Sequence, residues 1–314
     1  MKKPLIILTG PTAVGKTSLS INLAKAVNGC IISADSMQVY KHMDIGTAKI
    51  TKEEMQGVKH YLIDEFEPTQ DFNVVEFKNL AIKYIDEIIS NGQIPILVGG
   101  TGFYIQSVIK NVDFTESCED KEYRASLEEM ALKYGNSYVH NMLKEVDPDS
   151  AEAIHENNLK RVIRALEYFK QTGEQISKHN EAEKNKQSEF NYIYFVLNDD
   201  RENLYSRIDK RIDIMVNDGL VDEVSKLKEM GLTKDFVSMK GLGYKEILSY
   251  LDGEYSLEEA VYILKRDTRH FAKRQITWFK REEDVVWVNK PEFQYDEERI
   301  LSFMMDRIKA KSII

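Results

Sequence analysis

Residues 10–17 have the sequence GPTAVGKT, which matches the phosphate-binding loop pattern G-x-x-x-x-G-K-[ST] at every fixed position. Small residues let consecutive backbone N–H groups converge on a phosphate, and the N-terminus of a following helix adds partial positive charge. We therefore expect the Thr17 hydroxyl to be a ligand for magnesium. The residues expected to bind a polyphosphate are Gly10, Pro11, Thr12, Ala13, Val14, Gly15, Lys16 and Thr17. The pattern does not identify the polyphosphate as a nucleotide, and an incidental turn is the alternative interpretation.

Asp35 and Thr101 each follow a predicted strand. Ligand groups gather at the carboxyl ends of the strands in a parallel sheet, so both side chains are expected beside the phosphate loop. Asp35 could instead only cap a turn or a helix, and the glycines around Thr101 could serve only to bend the backbone. The pair Asp64-Glu65 also follows an apolar run and could hold a metal ion, as such pairs do in ATPases.

Arg207 and Arg211 lie one turn apart on one face of a helix predicted at 201–216. Guanidinium groups at that spacing can bind a phosphate together. Alternatively, they form surface ion pairs with Asp209 or Asp213 on the same helix. The sequence alone leaves both interpretations open.

Strands predicted at 4–8, 30–33, 60–64, 94–98 and 192–197 alternate with helices predicted at 16–27, 73–91, 103–110 and 201–216, and 285–288 is expected to be an edge strand. This alternation predicts an α/β fold, a P-loop NTPase-like parallel sheet flanked by helices. Residues 114–189 interrupt it with helical patterns at 122–134, 138–146 and 158–171 and a polar linker at 181–189. We predict a catalytic core of residues 1–113 and 190–314 and a helical insertion domain at 114–189.

The composition is that of a water-soluble protein: 314 residues, 42% hydrophobic and 30% charged. No apolar run is long enough to span a bilayer, so no membrane partner is expected. Cys30 and Cys118 have no metal-binding or redox spacing, which favours a reducing cytoplasm. The net charge of −9 argues against a nucleic-acid partner, yet residues 265–281 contain seven Lys or Arg and only one acid.

Taken together, the motifs resemble the tRNA dimethylallyltransferase (tRNA isopentenyltransferase) family. The matching segments occur in family order along most of the chain: GPTAVGKT at 10–17, DSMQVY at 35–40, IGTAK at 45–49, GGTGFY at 99–104, the stretch 147–168 with its RVIRALE core, RIDKRIDIMVNDGLVDEV at 207–224, GLGYKE at 241–246 and TRHFAKRQITWF at 268–279. The zinc-finger extension of eukaryotic members has no counterpart here, so the chain resembles the bacterial form.

The resemblance implies transfer of a dimethylallyl group from dimethylallyl diphosphate to N6 of the adenosine at position 37 of tRNA, just 3′ of the anticodon. Asp35 is then expected to accept the N6 proton, and Thr101 to orient the amine or a phosphate. Lys16, Arg211, Arg207 and the loop amides, with Mg²⁺ on Thr17, are expected to stabilise the departing diphosphate.

The tRNA anticodon stem-loop is the expected partner, and the enzyme is expected to act as a monomer in the cytoplasm. The residues expected to contact the extruded adenosine, its neighbours or the phosphates are Asp35, Ser36, Met37, Gln38, Thr101, Arg124, Lys160, Arg161, Val162, Ile163, Arg164, Gly241, Leu242, Gly243, Tyr244, Lys245, Glu246, Lys273, Arg274, Gln275, Ile276, Thr277, Trp278, Phe279 and Lys280. Part of the last segment must instead face the core, because its apolar residues follow helical spacing, and Trp278 is a candidate for the core.

Three alternatives stay open at this point. A P-loop kinase of a small metabolite would explain the loop and Asp35 equally well, but not the basic segment at 265–281. A nucleotide-gated RNA-binding switch would rely on Asp64-Glu65. A prenyltransferase acting on free adenine nucleotides would need less basic surface.

Overall fold

The computed structural model describes residues 2–112, 120–184 and 186–314, so Cys118 lies outside the described residues. The chain forms two compact units. The first consists of Met1–Ile109 together with Glu189–Ile314, and the second is Lys110–Ser188. The sequence predicts the insertion at 114–189.

The first unit contains a six-stranded sheet and its helices. In chain order its strands and α-helices are β1 (Lys3–Thr9), α1 (Lys16–Ala26), β2 (Gly29–Ser33), α2 (Lys52–Met55), β3 (His60–Tyr61), α3 (Val74–Ser90), β4 (Ile94–Gly99), α4 (Gly102–Ile109), then β5 (Phe190–Asn198), α10 (Arg201–Asn217), α11 (Leu220–Glu229), α12 (Tyr244–Leu251), α13 (Leu257–Phe279), β6 (Val285–Asn289) and α14 (Glu297–Ala310). Short 3-10 turns lie at Ser238–Lys240 and Lys290–Phe293.

All paired strands are parallel, in the order β3-β2-β4-β1-β5-β6. The predicted α/β fold is therefore confirmed. Strand β1 is buried from Leu5 through Thr9, as expected for a central strand covered on both faces. The edge strand predicted at 285–288 is β6, which pairs with β5.

The register of the central strands fixes where their carboxyl ends lie. Thr9 at the end of β1 pairs with Gly99 at the end of β4, and Ser33 at the end of β2 pairs with Val98. The Thr9 hydroxyl also donates to the Gly99 carbonyl at 2.6 Å. The segments that leave these three strands, which include the phosphate loop, Asp35 and Thr101, therefore begin side by side.

The second unit is a helical cluster made of α5 (Lys121–Tyr134), α6 (Asn136–Val146), α7 (Pro148–Ala153), α8 (Leu159–Thr172) and α9 (Ile176–Lys184). Its own core contains the fully buried side chains of Leu127, Val139, Leu143 and Val162. The three helices predicted here correspond to α5, α6 and α8. Residues 181–184, expected to be part of a linker, belong instead to the end of α9.

The predicted strand at 60–64 is too long, because β3 ends at Tyr61 and the backbone turns left-handed at Leu62 (φ 61°) and Asp64 (φ 56°). Asp64 pairs with Lys49 at 2.5 Å, and Glu65 accepts hydrogen bonds from the Leu62 amide and the Tyr84 hydroxyl. Both carboxylates are thus engaged within the fold. Over the described ranges, no helix combines the length and apolarity that a membrane span requires.

Candidate active site

The phosphate loop leads directly from β1 into α1, which begins at Lys16. Left-handed backbone at Ala13 (φ 63°) and Gly15 (φ 97°) shapes the loop, and a side chain at Gly10 would collide with the Leu197 carbonyl of β5. Gly15 occupies the N-cap and has no side chain that could satisfy the first N–H groups of α1. Those amides are therefore available to an anion.

The Lys16 ammonium folds back over the loop, donating to the carbonyls of Gly10 at 3.0 Å and Pro11 at 2.9 Å. Burial lowers the pKa of Lys16 to about 8, the Asp35 carboxylate opposes that shift and Arg211 adds to it. Lys16 therefore lies close enough to Asp35 and Arg211 for both charges to affect its pKa, and the sequence predicts all three residues in one site. Among the described residues, the Lys16 ammonium has two loop carbonyls as hydrogen-bond partners and no carboxylate within ion-pair distance. It is therefore suited to bind an anionic ligand.

Asp35 lies just beyond β2 and forms a turn of its own, in which Oδ1 accepts from the amides of Met37 at 2.9 Å and Gln38 at 3.3 Å. Both bonds fall on one oxygen, so within the described chain Oδ2 is left to accept another proton. Asp35 therefore uses Oδ1 for the expected capping role, and Oδ2 is available for the role that the sequence predicts in the site.

Thr101 is held against the segment that carries Asp35. Its amide donates to the Ala34 carbonyl at 3.2 Å, and a side chain at Gly99 would collide with the backbone of Ala34. The glycine at 99 therefore permits close approach of two backbones. The Thr101 carbonyl accepts hydrogen bonds from the amides of Tyr104 and Ile105 in the first turn of α4. Asp35 and Thr101 both line one cavity of about 400 Å³.

Helix α10 supplies the two arginines of the site. Arg207 donates from Nε to the Ala13 carbonyl of the phosphate loop at 2.8 Å, and Arg211 lines the cavity. Burial and the neighbouring Arg207 lower the pKa of Arg211, which still remains a cation at neutral pH. The alternative ion pairs on α10 are not formed, because Asp209 binds Arg269 of α13 and Asp213 binds Lys265 of α13.

The cavity is lined by polar and apolar groups together. Its polar side chains include Thr12, Asp35, Thr101 and Arg211, and its apolar side chains include Ile208, Ile212, Met215, Val237, Leu242, Leu264 and Phe271. The other predicted site residues found there are Ala13, Ser36, Met37, Gly241, Gly243, Lys245, Arg274 and Gln275. Such a cavity suits a ligand with an anionic end and an apolar group.

Several predicted site residues are used by the fold itself. The side-chain amide of Gln38 donates to the carbonyls of Thr47 and Ala48, at 3.2 and 3.3 Å. Tyr244 is fully buried with its hydroxyl on Glu223, and Glu246 is buried with one oxygen on the Gly243 amide. These three side chains are therefore held by hydrogen bonds within the protein and do not line the cavity of Asp35 and Thr101.

Helix α13 presents two different faces within the predicted segment 273–280. Lys273, Arg274, Thr277 and Lys280 are exposed, and the first three line a surface depression together with His270, Trp278 and Arg281. Gln275 and Phe279 are buried, and Ile276 is half-buried. Trp278 packs edge-on against Phe103, with ring centres 6.2 Å apart, and leaves no room for a side chain at Gly102.

In the second unit, Lys160 and Arg161 are exposed, whereas Val162 and Ile163 belong to its core. Arg124 binds the fully buried Glu167 through Nε at 2.9 Å and Nη2 at 2.8 Å, and Arg164 binds the same carboxylate at 3.1 Å. Burial alone would raise the pKa of Glu167, but the bonds from Arg124, the Asp120 amide and Arg164 outweigh it and lower the pKa.

Thr17 is exposed at the start of α1 and borders a small cavity of about 40 Å³ with Ser33 and Gln38, not the cavity of Asp35 and Thr101. The described residues include no group of three or more His, Cys, Asp or Glu that could hold a metal ion. Mg²⁺ needs few protein ligands when substrate phosphates and water supply the others, and a single hydroxyl fits only that mode of binding.

Lys290 is a site residue that the sequence analysis missed. It is 6% exposed, and its ammonium lies 3.3 Å from the Val14 carbonyl on the side of the loop where Arg207 also binds. Burial and Arg207 lower its pKa, against the opposing effects of Asp199 and Glu297. Lys290 directly follows β6, so the rule that ligand groups follow parallel strands could have found it once β6 was known to be parallel to β5.

Comparison with known proteins identifies the relatives of the chain. Residues 38–282 match the family model described as IPP transferase. A tRNA dimethylallyltransferase of Lachnoclostridium phytofermentans is 63% identical over 312 residues, 99% of each chain. Among solved structures, the full-length tRNA isopentenylpyrophosphate transferase of Bacillus halodurans is 45% identical with a TM-score of 0.75 and covers 99% of this chain and 98% of its own.

A eukaryotic dimethylallyltransferase, described as acting on tRNA, is 31% identical with a TM-score of 0.79 over 91% of this chain and 74% of its own. Agreement therefore extends over nearly the whole chain in sequence and in fold. On these grounds, this chain belongs to the IPP transferase family.

Proposed function

We propose that this protein is a tRNA dimethylallyltransferase, which transfers a dimethylallyl group from dimethylallyl diphosphate to N6 of adenosine 37 and releases diphosphate. The observation that carries the proposal is the cavity whose lining combines Asp35, Thr101, Arg211 and the edge of the phosphate loop with many apolar side chains. A phosphoryl-transfer enzyme has no need of that apolar lining at its reacting centre.

The donor is expected to place its diphosphate on the first amides of α1, where Lys16, Arg207 and Arg211 supply positive charge. The dimethylallyl group is then expected to lie against the apolar side chains of the cavity, which include Ile208, Ile212 and Phe271. As the bond between the allylic carbon and oxygen breaks, its electron pair passes to the diphosphate. Fixed donors in a buried site stabilise that growing charge without reorganising.

The acceptor is expected to enter as an adenosine taken out of the anticodon loop, because N6 of a stacked base cannot be reached. The N6 lone pair attacks the allylic carbon, and a proton leaves N6 as the new bond forms. Oδ2 of Asp35 is the acceptor that the geometry offers for this proton. Thr101, which lines the same cavity, can orient the amine.

Magnesium is part of the proposal as a partner of the diphosphate. When bound, it would neutralise charge on the phosphate oxygens. Thr17 would provide one oxygen ligand, with phosphate and water supplying the rest. The exposed position of Thr17 at the N-terminus of α1 supports this arrangement.

The anticodon stem-loop is expected to contact the exposed cations of α13, namely Lys273, Arg274 and Lys280, and the exposed Lys160 and Arg161 of the second unit. Phosphate contacts of this kind are independent of sequence and depend on salt. The proposal takes the enzyme to act as a monomer, and a tRNA substrate supports a cytoplasmic location.

The test is to incubate the protein with labelled dimethylallyl diphosphate and unmodified tRNA, and in parallel with labelled ATP. Label should appear in tRNA only from the prenyl donor. ATP turnover without prenyl transfer would refute the proposal and favour a kinase. Free adenine nucleotides in place of tRNA should accept no label.

The assignment of Asp35 is tested by Asp35→Asn, which keeps the Oδ1 acceptor for its turn but removes the base. Single-turnover transfer should fall by about 10²- to 10⁴-fold, the usual contribution of a general base, while tRNA affinity stays nearly unchanged. Asp306→Asn, at an exposed acid of α14, is the matched control and should leave transfer unchanged. Near-normal transfer by Asp35→Asn would exclude Asp35 as the base.

A further inference from the structure

Gln275 lies on the buried side of α13, unlike the exposed cations of the same helix. It is only 6% exposed, although Lys273, Arg274 and Thr277 beside it are exposed. Its carboxamide forms two hydrogen bonds: Oε1 accepts from the Thr12 amide at 2.9 Å, and Nε2 donates to the Gly100 carbonyl at 2.9 Å. One side chain therefore joins the phosphate loop to the turn that carries Thr101.

Both bonds act on backbone groups that adjoin the reacting centre. Thr12 lies between Pro11, whose carbonyl accepts from Lys16, and Ala13, whose carbonyl accepts from Arg207. Gly100 directly precedes Thr101, and any side chain at Gly100 would collide with the Gln275 amide. The bridge thereby fixes the distance between the loop that binds diphosphate and the turn that faces the acceptor.

The chemistry of the bridge requires one donor and one acceptor at the end of a side chain of this length. A carboxamide offers both in one plane, whereas a carboxylate lacks the donor and an ammonium lacks the acceptor. The buried Gly100 carbonyl and the Thr12 amide would each lose a partner if the carboxamide were removed, and unpaired buried groups are costly.

We propose that Gln275 is a positioning residue for prenyl transfer, and not a tRNA contact: it locks the phosphate loop and the Thr101 turn in register and links both to the helix whose opposite face binds tRNA. This inference rests on the proposed function. Misplacement of reacting groups by about 1 Å can cost about 10²-fold in rate, so even a small relaxation of the bridge should be measurable.

The test compares Gln275→Met, which removes both hydrogen bonds with little change in volume, with Gln275→Glu, which keeps the acceptor for the Thr12 amide. Single-turnover transfer is measured at saturating tRNA and donor, and tRNA affinity is measured separately. We expect both variants to slow transfer by about 10- to 100-fold near neutral pH, with tRNA affinity within about twofold of the wild type.

The two variants should differ in their dependence on pH. The carboxyl group introduced by Gln275→Glu can donate to the Gly100 carbonyl only when it is protonated. Its rate relative to the wild type should therefore recover as the pH falls from about 8 to 6, a range that burial makes accessible to a carboxyl group. Gln275→Met should show the same deficit at every pH.

Gln175→Glu is the matched control, because Gln175 also donates from Nε2 to a backbone carbonyl, that of Val146 at 3.0 Å, but lies in the second unit. It should leave the single-turnover rate unchanged. Weakened tRNA binding by the Gln275 variants, with a normal rate at saturation, would overturn the proposal in favour of direct tRNA contact. Equal losses in both variants with no recovery at low pH would also overturn it.

Failure of the proposed function has a different signature. In that case the wild-type protein itself transfers no label from dimethylallyl diphosphate to tRNA, and the Gln275 comparison has no baseline rate. Thermal unfolding of each variant shows whether it is folded when the rate is measured.

Discussion

Two pairs of arginines in this molecule have the same chemistry and opposite surroundings. In the second unit, Arg124 and Arg164 both bind the buried Glu167. In the first unit, Arg207 and Arg211 have no carboxylate partner among the described residues, because the nearby Asp209 and Asp213 pair with α13. The difference shows that the presence of a nearby carboxylate without another partner, more than residue type or spacing, decides whether an arginine stabilises the fold or remains available to an anion.

Among the variants that test this comparison, the largest effect is expected from Arg211→Ala. Loss of one fixed donor to the departing diphosphate should lower single-turnover transfer by about 10²- to 10³-fold. The melting temperature should not fall, because the variant removes a half-buried charge that has no carboxylate partner in the described chain. Transfer assays and thermal unfolding of the same preparations measure both quantities.

Arg201→Ala on the same helix is the control, because Arg201 is exposed and packs over the Tyr205 ring. It should retain wild-type transfer. If Arg211→Ala instead destabilises the protein and keeps its rate, the two arginine pairs do not differ as described.

The opposite result is expected for Arg124→Ala. Glu167 would remain fully buried with Arg164 and the Asp120 amide as its partners. Removing one partner of a buried ion pair costs about 3–5 kcal/mol of unfolding free energy, here nearer the lower value because these two partners remain. Urea unfolding measures the loss. Arg124→Ala combined with Glu167→Gln should recover part of it, since no buried charge is then left uncompensated.

The pH dependence of this loss has a defined sign. The folded-state pKa of Glu167 is lowered, so its contribution to stability is present above the unfolded value near about 4.3 and disappears as pH falls through the folded value. The difference in unfolding free energy between the wild type and Arg124→Ala should therefore become smaller below about pH 4. A loss of tRNA affinity with unchanged stability would contradict the structural role.

The site and the fold were predictable from sequence to different extents. The phosphate loop, Asp35 and Thr101 follow predicted parallel strands, and the rule that such strands end at one edge was enough to bring them together. The partners of the arginines were not predictable, because Asp209 pairs with a residue 60 positions away in the sequence. Helical periodicity gives the faces of α13 but not which one packs on the two loops, so the sequence does not separate Gln275 from the residues expected to contact tRNA. The pairing of β6, which places Lys290, also depends on long-range contacts.

A third prediction concerns Lys16, which has the loop carbonyls as hydrogen-bond acceptors where Arg124 has a carboxylate. Its pKa of about 8 means that the ammonium loses its proton as pH rises past that value. A bound diphosphate favours the charged form, so affinity for dimethylallyl diphosphate should be highest near about pH 7 and fall by up to about tenfold per pH unit above about pH 8. The diphosphate itself is already ionised there, with a last pKa near about 6.

Calorimetric titration without tRNA measures this dependence through both affinity and proton uptake. Lys16→Met should bind the donor more weakly at every pH and lose the change between about pH 8 and 9. A wild-type affinity that does not vary over this range would show that Lys16 does not hold the diphosphate.

The smallest effect per residue is expected on the exposed face of α13, where Lys273 and Arg274 are available to phosphates but remain in water. Changing both to Ala should weaken tRNA binding and reduce the slope of log affinity against log salt by about one for each phosphate that is no longer neutralised. The rate at saturating tRNA should change less than the affinity, because Lys273 lies outside the cavity of Asp35 and Thr101 and Arg274, which lines it, is not assigned to the transfer step. Lys309→Ala with Lys311→Ala removes the same charge from exposed positions at the end of the chain and should leave the slope unchanged. An equal change of slope in both double variants would mean that net charge, and not this face of α13, governs the interaction with tRNA.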